Sequence, residues 1–89
     1  MTTERPSRKA PFLPRHTLTS TEKEILQLLA NGWTAREAAD EVRLGVRTVE
    51  RYIENLRLKM DAQNTPHLIA RAFSKGALKV VRGVVKIVD

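Results

Sequence analysis

The chain has no cysteine, which excludes a disulfide framework and thiolate metal sites alike. Its two histidines, His16 and His67, stand far apart and have no neighbouring acid or nucleophile with which to form a catalytic set. None of the four glycines belongs to a phosphate-cradling loop, so the sequence implies no enzyme activity, no cofactor and no metal. Also missing is any apolar run near the roughly 20 residues that span a bilayer. The opening stretch "MTTERPSRKAPFLPRHT" lacks the apolar segment of a secretion signal, so a cytoplasmic protein without membrane contact is expected. A chain of 89 residues forms one small domain with a modest core, which favours an oligomer or a bound state.

What the chain has in excess is positive charge. A net charge of +6 and a pI near 10.3 point to a polyanionic partner. The excess sits at the ends: residues 1–17 carry four basic side chains against Glu4, and residues 79–89 carry three against Asp89. Residues 18–78 are nearly balanced, with nine basic and eight acidic side chains. Pro6, Pro11 and Pro14, few apolar groups and no periodicity make residues 1–17 an expected disordered, basic arm.

Periodicity begins at Leu18. "TSTE", Thr19 to Glu22, reads as a capping box opening a helix whose face is Ile25, Leu28 and Leu29, and "NG" at Asn31 and Gly32 stops it. "TARE", Thr34 to Glu37, repeats the box ahead of Ala35, Ala38, Ala39 and Val42, small residues that allow close helix packing. Gly45 breaks this pattern. A third stripe then runs through Val46, Val49, Ile53, Leu56 and Met60, with Tyr52 at its edge. Thr65 is read as the N-cap and Pro66 as the first residue of a fourth helix whose apolar face is Leu68, Ile69, Ala72 and Phe73, with Gly76 at its end. The tail "LKVVRGVVKIVD" fits two periods: its valines recur at helical spacing, while valine content and Gly83 favour an extended segment. Trp33 is read as sealing the core, and Glu37, Asp40 and Glu41 as a solvated acidic face.

Two short helices joined by a tight turn, the second longer than the first, suggest a helix-turn-helix, although any small helical bundle could show that pattern. The stretch "LTSTEKEILQLLANGWTAREAADEVRLGVRTVERYIENLRLKM", followed by "ARAFSKGAL", resembles the LuxR/GerE-type DNA-binding domain of bacterial transcription regulators. The resemblance rests on Leu18 and Thr19, Glu24 with Ile25 and Leu26, Leu28 to Ala30 with Gly32, and Glu37 with Ala39. It continues through Thr48 and Val49, Asn55 with Leu56, and Lys59. It implies an all-α, compact four-helix domain over residues 18–78, between the arm of residues 1–17 and a short tail of residues 79–89. The second and third helices would form the helix-turn-helix, and the fourth would pair two copies across a twofold axis. The chain departs from the family pattern at Gly45, Glu50, Tyr52, Asp61, Ala62 and Thr65, where the family favours Ser, a basic residue, His, Gly, Val and Arg.

With the apolar stripe inward, Arg47, Arg51, Glu54, Asn55 and Leu58 point outward, flanked by Thr48 and Glu50. In the DNA-binding reading Arg47 and Arg51 take guanine bidentately, Glu54 or Glu50 accepts from a cytosine amino group, and Thr48 and Asn55 donate to phosphates. Arg36, Lys59 and Arg15 complete the candidate DNA-binding set. The plain alternative pairs Arg47 with Glu50 and Arg51 with Glu54 on a solvated helix, at a few tenths of a kcal/mol each. Carboxylates beside phosphates lower affinity for arbitrary DNA and favour selectivity. Arg5, Arg8, Lys9 and Arg15 on the arm would restore attraction along the backbone or in the minor groove, unless the arm is only a solubilising leader.

The expected protein is a nucleoid-associated, sequence-specific transcriptional regulator that binds double-stranded DNA as a homodimer through the fourth helix, with the valine-rich tail as a candidate further contact to the second copy or to another protein. Seventeen Pro-rich residues cannot form a receiver or ligand-binding domain, so it is expected to stand alone, controlled by its expression level or by a partner. Two rivals use the same fold: a protein-interaction module that docks on RNA polymerase or another regulator, and a sigma-like or packaging subunit of a larger nucleic-acid machine.

Overall fold

The first helix begins where two side chains satisfy each other's backbone. In the computed structural model, which describes residues 17–88, the Glu22 amide donates to Thr19 Oγ1 at 3.1 Å and the Thr19 amide to Glu22 Oε1 at 2.8 Å. This box opens α1 (Ser20–Ala30). Gly32, with φ +94°, supplies the left-handed residue just after the Asn31 cap. The box at Thr34 and Glu37, with contacts of 3.1 and 2.9 Å, opens α2 (Ala35–Val42). The chain then turns through Arg43, in the left-handed region, to Gly45, whose extended backbone caps α3 (Val46–Met60).

Asp61 closes α3 with φ 55°, the conformation that the family pattern assigns to glycine, and Ala62 tucks into the core behind it. The cap of α4 (Thr65–Ser74) lies one residue earlier than the sequence implied. The Asn64 side chain accepts from the His67 amide at 2.9 Å, which leaves Thr65 as the first helical residue.

All four helices close on one core. Ile25 and Leu26 of α1, Ala38 and Ala39 of α2, and Val49 and Leu56 of α3 are each at most 1% exposed. Leu68 and Ala72 supply the face of α4. Each large apolar side chain buried here contributes about 1.5–3 kcal/mol. The arm of residues 1–16, with Arg5, Arg8, Lys9 and Arg15, lies outside the described residues. Among the described residues no helix is long and apolar enough to cross a membrane.

The valine-rich tail is extended, and it folds back on itself. Strands β1 (Leu78–Val81) and β2 (Val84–Ile87) pair antiparallel, with Leu78 opposite Ile87 and Val81 opposite Val84. Arg82 and Gly83 between them have φ 54° and 81°, the two positive values of the two-residue turn that matches strand twist. Leu78, 4% exposed, is at once a core residue and the first residue of β1.

The hairpin is fastened by α1. Val85 exchanges two hydrogen bonds with the Asn31 side chain, donating at 2.9 Å and accepting at 2.8 Å, and the Ile87 amide donates to Gln27 Oε1 at 2.8 Å. Gln27 and Asn31 are one helical turn apart, about 6 Å along the axis, and Val85 and Ile87 are about 6.8 Å apart along the strand. The near-equal spacings let one helix face cap successive outward groups of β2.

Candidate nucleic-acid interface

The turn between α2 and α3 is set by small residues. Ala38 and Ala39 of α2 and Val49 of α3 are buried in one core cluster where the two helices pack together, and burying Val49 turns the opposite side of α3 outward. Val49, Leu56 and Met60 are buried, and Val46, Tyr52 and Ile53 pack at the core's edge. Arg47, Thr48, Glu50, Arg51, Glu54, Asn55 and Leu58 are exposed together, as the periodicity required. Gly45 provides no side-chain hydrogen bond to the first turn of α3.

The charges on this face do not pair as the plain alternative had them. Glu54 is held by Arg57, not Arg51: Arg57 Nε donates to Oε1 at 3.1 Å and Nη2 to Oε2 at 2.6 Å. The same guanidinium donates from Nη1 to the Ala62 carbonyl at 2.7 Å, which ties the exit of α3 to its own last turns. Arg47, Glu50 and Arg51 take part in no ion pair among the described residues. A planar fork bound at both carboxylate oxygens and at a carbonyl is well determined. Arg57 therefore withdraws one carboxylate and leaves two exposed arginines one helical turn apart.

The remaining candidates separate. Arg36 is exposed in the first turn of α2. Lys59 is half-buried and engaged within the fold: its Nζ donates to Glu22 Oε1 at 2.8 Å and to the Thr17 carbonyl at 3.2 Å. Since Glu22 is 3% exposed, this pair ties the start of α1 to the end of α3. Arg15 falls outside the described residues. Trp33, expected to seal the core, is instead 39% exposed at the turn between α1 and α2, two residues past the Asn31 cap that ends α1.

Sequence reasoning missed two positioning groups. Arg57 has Glu54 three residues before it, the same spacing that Arg51 offers three residues before Glu54, and sequence alone does not choose between them. Arg71 reaches back to the Met60 carbonyl at 2.9 Å and to Asp61 at 3.7 Å, a contact across a loop that no periodicity announces.

Residues 16–72 match the family described as bacterial regulatory proteins, luxR family. The chain belongs to that family. It is 37% identical over 62 residues to the transcriptional regulatory protein DesR of Bacillus subtilis (strain 168), covering 70% of this chain and 31% of DesR. It is 38% identical over 63 residues to the response regulatory protein YgeK of Escherichia coli (strain K12), covering 71% of this chain and 43% of YgeK. The chain thus spans less than half the length of either relative. The dimeric VqmA of Vibrio cholerae, a LuxR-type receptor, superposes with a TM-score of 0.66 at 35% identity, covering 67% of this chain and 27% of that one. The luxR-family match ends at residue 72, before the β1–β2 hairpin begins.

Proposed function

We propose that the chain binds double-stranded DNA in a sequence-selective way and regulates transcription, with α3 in the major groove. The observation that carries this reading is the exposed pair Arg47 and Arg51, unpaired among the described residues, on the second helix of a luxR-family helix-turn-helix. One helical turn separates them by about 6 Å, close to two base steps of about 3.4 Å each. Guanine is the expected target of both. Glu50 is the carboxylate left to accept from cytosine, while Glu54 acts through Arg57 to stiffen the helix. Thr48, Asn55 and Arg36 supply phosphate contacts in this reading, and Lys59 holds α1 against α3. The arm residue Arg15 adds backbone attraction.

A homodimer through α4 completes the proposal and would repeat the contact on a second half-site. Phe73, 38% exposed, and the half-buried Ile69 give α4 an apolar outer edge, and the related VqmA is a dimer. The hairpin is left out of that dimer: pairing two β1 edges about Lys79 would set two ammonium groups against each other. The protein is expected on the nucleoid, in the cytoplasm.

Selection from a random duplex pool tests the reading. One enriched motif, whose binding falls by about 10- to 100-fold with Arg51→Ala, is the expected result, because a bidentate guanine contact carries roughly 1–3 kcal/mol. Leu58, 67% exposed on the same face, favours a second reading as a docking surface for RNA polymerase or another regulator. A pool without enrichment selects that one.

A further inference from the structure

We propose that the β1–β2 hairpin is a second DNA contact, its cations Lys79, Arg82 and Lys86 gripping the phosphate backbone beside the start of α2. This rests on the DNA-binding reading above and adds to it a surface outside the luxR-family match.

Charge is the first observation. From Ala62 to Val88 the sequence holds Arg71, Lys75, Lys79, Arg82 and Lys86 and no acidic residue. Residues 18–61 hold seven basic and eight acidic side chains, so the helix-turn-helix itself offers a polyanion little net attraction. The three hairpin cations are exposed.

Placement is the second. Ile87 sits at Gln27 and Val85 at Asn31, so β2, followed back toward its turn, passes the C-terminal end of α1. Arg82 and Gly83 therefore lie beyond Asn31, at the end of α1 opposite the Lys59–Glu22 pair. Asn31 leads within three residues to Thr34, the N-cap of α2. The hairpin cannot drift from this position, because α1 side chains hold β2 and Leu78 is in the core.

The third observation concerns the partner's chemistry. Lys79 lies directly opposite Lys86, on the strand face turned away from Leu78, Val85 and Ile87. Like charges opposed across a ladder destabilise it, and a phosphate between them removes that cost. An acidic peptide adding to the sheet is poorly served. The outer edge of β2 is taken by Asn31 and Gln27, and that of β1 presents only Val80 and the buried Leu78.

Fluorescence anisotropy of the full chain on a labelled duplex carrying its selected motif, from about 50 to 200 mM salt, tests this. The variant Lys79→Ala/Arg82→Ala/Lys86→Ala should keep the motif while the slope of log affinity against log salt shrinks by roughly two to three, near 0.9 per phosphate contact. Asn31→Ala, which keeps every charge but frees the strand, should shrink it by a smaller amount. Lys75→Ala, at the α4 cap, should leave it unchanged. An unchanged slope in the triple variant overturns the hairpin contact and leaves the α3 reading standing; so does a Lys75→Ala effect as large as one hairpin residue's share. A wild-type chain that binds no duplex saturably overturns both.

Discussion

Residues 18–61 and residues 62–88 use charge in opposite ways. In the first stretch acids and bases nearly cancel, and the best-fixed of them pair with each other, Lys59 with the buried Glu22 and Arg57 with Glu54 on the surface. In the second every charged side chain is basic, and Lys79, Arg82 and Lys86 face solvent on a hairpin. On the reading proposed above, one half sets shape and the other would supply attraction. In that reading, such a division would let the exposed face of α3 discriminate between base pairs without having to grip every sequence it meets.

Four variants would break or sharpen the contrast. The largest effect is expected from Lys59→Ala, which strands the buried Glu22 carboxylate: about 3 kcal/mol of folding stability should be lost, read from the urea midpoint. Removing the three hairpin cations should cost less than about 0.5 kcal/mol by the same measurement, and equal losses would erase the distinction. Asn31→Ala cuts the joint between the halves. It removes three exposed hydrogen bonds, two to Val85 and one to the Gln27 carbonyl, so roughly 1 kcal/mol should go, and the Val85 amide should exchange faster with solvent while the core of α3 keeps its protection. The smallest effect is expected from Gly45→Ser. With φ −71° and open space around an added Cβ, a serine fits and gives α3 its missing cap, raising stability by a few tenths of a kcal/mol. A loss of stability there would show that the turn needs glycine for another reason.

Much of the helical fold was legible because it is written locally. The boxes at Thr19 and Thr34 declare their helices within four residues, and the stripe from Val46 to Met60 fixes the exposed set on α3 without reference to anything else. The hairpin was only half legible. Val80, Val81, Val84, Val85 and Val88 satisfy both a helical and an extended spacing, and the choice is made by Asn31 and Gln27, more than fifty residues away in the chain. Arg57 was hidden for another reason: Glu54 has an arginine three residues to either side, and only the Ala62 carbonyl, brought back by the left-handed Asp61, favours the later one. Cap choice at α4 was a near tie between adjacent polar residues, settled by which side chain meets the His67 amide.

The amides on α1 carry a consequence for solubility. A valine-rich strand with a bare edge is a template on which further chains can stack, the first step toward fibres. Here Gln27 and Asn31 close one side of the ribbon, and Lys79 guards the other with a charge that repels its own copy. The cations that would draw in a nucleic acid thereby also keep neighbouring molecules apart in its absence.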